Sequence, residues 1–383
     1  EDVLRTLDEI LGRDSTYRTG HPIASMSTIP HDLSTQVFIK TLEKNAGRMH
    51  TFSGSAEIEN DVVAMIADML HLNEPFGTTT SGGTESNILA LLAARELKKN
   101  TKNPEVIVPR NAHSSIDKAA WLLGLKTVKT KVDKQFKASP KAIEKAITDD
   151  TVAIVSTAGT TYLGQIDPVE VIGEIAKDNR LPFHVDAAFG AFVIPFLAGL
   201  GYKSYSFDFE VEGVTSISAD PHKMGLAPIP SGCTIFRTGK HMKSVTSKID
   251  YLRGASATQS SILGTRPAAP ILATWAIMKH LGRSGYRSIV GECMRKTMLA
   301  KDRIEDNKLL DLAIEPVMNI LGIKSKELPI DSIVERMERR GWRMATSPKP
   351  HTIRLVVMPH MTDGSINAFL NDLDEISTTI DAD

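Results

Sequence analysis

The sequence is short of cysteine, of aromatic residues and of net charge. Its two cysteines, Cys233 and Cys293, form no CxxC pair and no zinc-ligand spacing. A disulfide framework and a structural zinc site are therefore not expected, and a reducing, cytoplasmic setting is. Lysine and arginine number 45 against 46 aspartate and glutamate, a net charge of −1. That balance gives no electrostatic case for a nucleic-acid partner or an anionic membrane surface. The longest apolar run, residues 187–201, contains Pro195 and is shorter than the roughly 20 residues of a bilayer span, so it reads as buried core. No secretory signal is visible at the start. Neither GxxxxGK[ST] nor GxGxxG occurs, which argues against a Walker-type nucleotide site and a nicotinamide-binding turn. No internal repeat stands out.

The chain's 383 residues suffice for a large core and two domains. Residues 1–50 read as an N-terminal arm, with Val3, Leu4, Leu7, Ile10 and Leu11 at helical spacing. Residues 51–285 read as a large domain. Short apolar strands (Val106-Ile107-Val108, residues 152–155, Phe183-His184-Val185, residues 214–218) alternate with helices that open at Ser81 or Thr84, His113, Ser139 and Pro168. That alternation predicts an α/β fold with a mostly parallel sheet covered on both faces. Residues 286–383 read as a smaller C-terminal α/β domain, with strands at 317–321 and 353–358 and helices at 331–340 and 363–378.

In such sheets ligands bind beyond the C-terminal strand ends, and the polar residues collect there. Ser81-Gly82-Gly83-Thr84 feeds a helix N-terminus, where glycines let the backbone approach and free N–H groups favour an anion. His113 follows the strand at Val106, Thr161 the strand at Val152, and Asp186 the strand at Phe183. Lys223 follows Asp220-Pro221-His222, a turn enforced by a proline that cannot continue a ladder. A lysine held rigidly on such a turn suits Schiff-base chemistry. Each residue also has a plain structural reading as a cap, a turn residue or a surface charge. Their common placement at one sheet edge favours a site. Arg354 interrupts the apolar strand Ile353-Arg354-Leu355-Val356-Val357, where a charge needs a partner; that partner is either a structural acid or a substrate carboxylate.

The spaced set Ser81-Gly82-Gly83-Thr84-Glu85, His113, Gly159-Thr160-Thr161, Asp186-Ala187-Ala188 and Asp220-Pro221-His222-Lys223 resembles the pyridoxal-phosphate-dependent group II decarboxylases of fold type I, the aspartate aminotransferase-like architecture. The run 219–225, Ile262-Leu263-Gly264-Thr265-Arg266 and residues 354–359 resemble, within that group, the archaeal L-tyrosine/L-aspartate decarboxylases. The resemblance implies pyridoxal 5'-phosphate as cofactor, no metal, and a homodimer with a shared active site. It implies Lys223 as the Schiff-base lysine, Asp186 against the pyridinium nitrogen beside Ala188, and His113 stacked on the ring. Gly83, Thr84 and His222 would hold the phosphate, with Gly264 and Thr265 reaching it from the neighbouring subunit. Thr161 would lie near the ring and substrate, Arg354 would bind the substrate carboxylate, and Tyr251 would return the proton to Cα. The implied reaction converts L-tyrosine to tyramine, suited to a cofactor such as methanofuran, or L-aspartate to β-alanine, suited to coenzyme A synthesis. Sphingosine-phosphate lyases share the SGGTES and DxHK elements, so a C–C lyase is the alternative; Arg354 favours decarboxylation.

Overall fold

A computed structural model describes residues 2–47, 51–248 and 258–378. The chain divides into two compact units, residues 30–290 and residues 1–29 with 291–383. The sequence reading drew its boundaries at 50 and 285. In the structure residues 1–29 join the C-terminal unit, and residues 30–47 belong with the large one.

The large unit is built on seven strands: β1 (Phe76–Thr80), β2 (Glu105–Pro109), β3 (Lys126–Thr130), β4 (Thr151–Thr157), β5 (Phe183–Asp186), β6 (Ser216–Ala219) and β7 (Gly232–Phe236). Their order is β1-β7-β6-β5-β4-β2-β3. The five strands β6, β5, β4, β2 and β3 run parallel, and β7 pairs antiparallel with both β1 and β6. The central strands are apolar runs buried along their whole length, as a sheet covered on both faces requires. The helices between them begin and end where the local chemistry dictates. The Ser139 side chain accepts from Ala142 N at the start of Pro140–Ala146. The helix Ser114–Leu123 ends at Gly124 in the left-handed region, a conformation glycine adopts without penalty.

Strand β1 is absent from the sequence reading, which took Gly77-Thr78-Thr79-Thr80 as part of a turn. Its three threonines are buried; the Thr78 and Thr79 hydroxyls and the Thr79 N–H turn to one carboxylate, while the Thr80 hydroxyl bonds Ser86 Oγ (2.8 Å). Glu59 accepts from Thr79 N (3.1 Å), Thr79 Oγ1 (2.7 Å) and Thr78 Oγ1 (3.4 Å), and pairs with Arg266 (2.7 Å). A buried acid 17 or more positions away thus lets a polar segment act as a strand, which periodicity cannot register. The helix that follows spans Gly83–Leu97, opening directly at the glycine turn.

The smaller unit holds the helix Asp2–Leu11 and a four-stranded antiparallel sheet in the order Leu310–Leu312, Ile320–Ser325, His351–Val356, Thr346–Pro348. The strand expected at 317–321 lies instead at Ile320–Ser325. The helices Ile330–Arg339 and Asp363–Thr378 complete it, with Ile23, Trp342, Leu355 and Phe369 among its core residues. Among the described residues no helix is long and apolar enough to cross a membrane.

Candidate active site

The C-terminal ends of β4, β5 and β6 lie side by side, and the register aligns Thr157 with Asp186 and Asp186 with Ser218. Asp186 is buried. Its Oδ1 accepts from the Ser218 hydroxyl (3.0 Å) and Ala188 N (3.1 Å), and its Oδ2 from Asn87 Nδ2 (3.0 Å). Burial by itself would raise the carboxyl's pKa. The charge of Lys223, first, and the hydrogen bonds from Ala188 and Asn87 outweigh it and hold Asp186 below its ordinary value. The site therefore keeps an anion at the end of its central strand, stabilised by donors rather than by water.

The turn after β6 carries Lys223. Its Nζ lies 3.2 Å from Asp220 Oδ2, and His222 Nε2 lies 3.6 Å from the same oxygen. Asp220 Oδ1 is buried without a hydrogen-bond partner. Ser231 N donates to His222 Nδ1 (3.2 Å). Burial lowers the His222 pKa; Asp220 opposes that shift and Lys223 adds to it.

Facing this turn is the Ser81–Gly83 loop. Gly82 has φ +144 and ψ 178, and a Cβ there would sit 2.9 Å from His222 Cε1. A Cβ on Gly83 would meet Asp220 Oδ2 at 3.0 Å and the Ala188 methyl at 3.1 Å. The backbone approaches the DPHK turn closely because no side chain intervenes. No side chain caps the helix Gly83–Leu97, so its first N–H groups, including those of Gly83 and Thr84, form an uncapped anion cradle. Glu85, at the same turn, is structural: Oε2 accepts from Ser81 N (2.7 Å) and Oε1 from Ile262 N (3.0 Å). It ties the segment carrying Gly264 and Thr265, both exposed, to the cradle helix of the same chain.

His113 is exposed at the start of Ser114–Leu123. Thr161 is half-buried, beyond the positive-φ Gly159. The structure thus groups Gly83, Ala188, Asp186, His222 and Lys223 through direct neighbours, and joins His113 to them through Ser115 and Asn87. Arg354 belongs to the smaller unit, where it donates to the Ala24 carbonyl. Tyr251 lies outside the described residues. The sequence reading assigned no role to Asn87, Ser115, His184, Ser218 or Asp220, although each sits within a few residues of a motif it used.

The conserved domain of pyridoxal-dependent decarboxylases matches residues 23–326. The chain belongs to the pyridoxal-dependent decarboxylase family. It is 41% identical over 376 residues to a probable L-aspartate decarboxylase of Pyrococcus abyssi, covering 98% of this chain and 97% of that one. It is also 41% identical over 363 residues to a probable L-tyrosine/L-aspartate decarboxylase of Methanothermobacter thermautotrophicus, covering 94% and 98%. Among solved structures, a sphingosine-1-phosphate lyase of Burkholderia pseudomallei superposes with a TM-score of 0.91 at 26% identity, covering 98% of this chain and 89% of that one. The family is one of fold-type I carboxy-lyases that act on amino acids with pyridoxal phosphate. The site fits that cofactor: an uncapped helix N-terminus beside His222 for a phosphate, a buried anion for a protonated ring nitrogen, and a half-buried lysine amine between them.

Proposed function

We propose that this chain removes the α-carboxylate of L-aspartate, releasing carbon dioxide and β-alanine. The observation that carries the cofactor is Asp186, a buried carboxyl held ionised within the field of Lys223, and the decarboxylase domain over residues 23–326 supports the reaction class. The aspartate assignment is supported by relatives matched end to end whose names carry that substrate. One of them also carries tyrosine, so L-tyrosine, giving tyramine, is the second substrate to try.

Bound pyridoxal phosphate supplies an electron sink for the pair left behind when the carboxylate departs. In this reading Lys223 Nζ would hold the cofactor covalently, and Asp220, 3.2 Å away, would balance the charge of its amine when free. Asp186, beside the Ala188 backbone, would favour a proton on the ring nitrogen. Gly83 N, Thr84 N and His222 would hold the phosphate, with Gly264 and Thr265 of a second subunit in a homodimer completing its site. His113 and Thr161 would hold the ring. Arg354 anchors the α-carboxylate, and Tyr251 returns a proton to Cα.

The test is to supply purified protein with pyridoxal phosphate and follow amine and carbon dioxide from L-aspartate, L-tyrosine and L-glutamate in parallel. β-Alanine as the main product is expected. Tyramine as the main product would move the assignment to an aromatic pocket. Bound cofactor with no amine from any of the three would transfer the reading to C–C lyase chemistry on a phosphorylated amino alcohol.

A further inference from the structure

Five polar side chains buried beneath the site form one continuous hydrogen-bonded chain. Asn87 sits in the first turns of Gly83–Leu97 and is almost wholly buried, as are Ser115, His184 and Ser216. Asparagine is a poor helix former, and burying its amide is costly unless every polar atom is matched. Here they are matched, and the matching fixes each proton.

An ionised Asp186 has no hydrogen to give, so the Asn87 atom 3.0 Å from Oδ2 is Nδ2. The second hydrogen on Nδ2 goes to Ser115 Oγ, 2.8 Å away. The amide oxygen then faces His184 Nε2 at 2.8 Å, so that nitrogen carries a hydrogen. His184 Nδ1 is left to accept from the Ser216 hydroxyl at 2.9 Å. Burial, against the opposing charge of Asp186, pushes the His184 pKa down to about 4, so the ring is neutral near neutral pH. On the other side, Ser115 Oγ has accepted from Asn87 and so donates to His113 Nδ1 at 2.8 Å, which also takes Ser115 N–H at 3.2 Å. Both donors point at Nδ1, which leaves the His113 ring hydrogen on Nε2.

We infer that Asn87, held in one orientation by His184, is a positioning residue that serves two groups at once: it orients the Asp186 carboxylate through Oδ2 and, through the Ser115 hydroxyl, holds the His113 ring whose Nε2–H tautomer the Ser115 N–H already sets. One amide on the cradle helix thereby ties the phosphate end of the site to the groups assigned to the ring nitrogen and the ring face. The inference rests on the proposed roles of Asp186 and His113.

Asn87→Leu keeps the branching at Cγ and removes all three hydrogen bonds. In the histidine 15N spectrum of the cofactor-free protein the His113 Nδ1 resonance should then shift as the Ser115 hydroxyl loses its donor, while the Ser115 N–H keeps the Nε2–H tautomer. The dissociation constant for pyridoxal phosphate should rise by roughly ten- to a hundredfold, the weight of a hydrogen bond to a charged group. With cofactor labelled at the ring nitrogen, the 15N shift should move toward the unprotonated value. His184→Gln retains a donor toward the Asn87 oxygen and should behave like the parent, whereas His184→Leu should reproduce Asn87→Leu. That pair carries the test if Asn87→Leu fails to fold, and melting of each cofactor-free variant separates lost stability from lost positioning. An unchanged His113 Nδ1 shift and cofactor constant in both leucine variants would overturn the inference. Asp186→Asn is the control for the reading beneath it. If Asp186→Asn binds cofactor as tightly as the parent, the assignment of Asp186 fails. If Asp186→Asn is impaired and the leucine variants are not, only the role of Asn87 fails.

Discussion

Lys223 and Asp220 form the pair on which the chemistry at the β6 turn depends. Asp220 is buried, one oxygen has no hydrogen-bond partner, and the other faces Lys223 at 3.2 Å. Removing one partner of such a pair leaves a charge with neither water nor counter-ion. Lys223→Ala is therefore expected to act twice. Borohydride should fix the cofactor to the parent protein at Lys223 and leave the variant unlabelled. The cofactor-free variant should also melt at lower temperature than the parent, and Asp220→Asn added to it should restore most of that loss. A variant still labelled by borohydride would place the attachment elsewhere. At this scale the motif residues were legible because they cluster in short runs at strand ends: Ser81 to Thr84, Asp186 to Ala188, Asp220 to Lys223. Asn87 and His184 were not. They lie 97 positions apart in sequence, and each stands in a run that reads as an ordinary helix or strand. Only the fold shows that His184 Nε2 faces Asn87 Oδ1.

The element that decides the phosphate end is the β1–helix turn. Gly82 occupies a region of backbone space open essentially only to glycine (φ +144, ψ 178), where another residue costs about 1–3 kcal/mol. The Cβ of Gly82→Ala would also press on His222 at 2.9 Å. Gly82→Ala should lower the melting temperature and weaken binding of both pyridoxal phosphate and inorganic phosphate. Gly364→Ala, outside the site, is the matched control: its Cβ finds nothing nearer than Thr362 Oγ1 at 3.6 Å, so stability should hold. Equal losses in the two variants would mean that backbone strain at Gly82 is not what shapes the cradle. The strands and helices of the large sheet were legible wherever burial is uniform, as in β2, β4 and β5, because an apolar run between turn residues has few other uses. Strand β1 was hidden because its inward residues are threonines matched to Glu59, a pairing made across the fold.

For the molecule as a whole, the two units should respond differently to acid. In the large unit, burial pushes His184 down to about 4 and Asp167 up to about 6, the latter against hydrogen bonds from Ala138 N and Thr157 N. A histidine whose folded pKa is depressed stabilises the fold above its unfolded value, near 6.5, and loses that contribution as pH falls toward 4. A carboxyl whose folded pKa is raised stabilises the fold below its unfolded value, near 3.8, and loses that contribution as pH rises through 6. The two windows overlap and the signs oppose; each shift is worth on the order of 3 kcal/mol. These two contributions nearly offset between pH 4 and 6, and among the other shifted groups of the large unit the raised Asp208 opposes the depressed His222 and His241. The smaller unit has no such balance. Burial pushes His360 down to about 4, against a hydrogen bond to Pro22, so its contribution is lost as pH falls from 6.5 toward 4. Asp363 and Glu375 are held below their ordinary values by hydrogen bonds from Arg295 and Arg340, so theirs is lost further down. All three losses run in the same direction. On acidification the smaller unit should open first. Trp342 reports it, being buried beside Phe369 and His21; in the large unit Trp121 is already 78% exposed, and the half-buried Trp275 is removed as a second reporter by Trp275→Phe. The expected result is a red shift of tryptophan emission at a higher pH than the loss of far-ultraviolet circular dichroism, with His360→Gln moving the emission change to lower pH. Coincident transitions that His360→Gln leaves in place would show that the smaller unit has no acid response of its own.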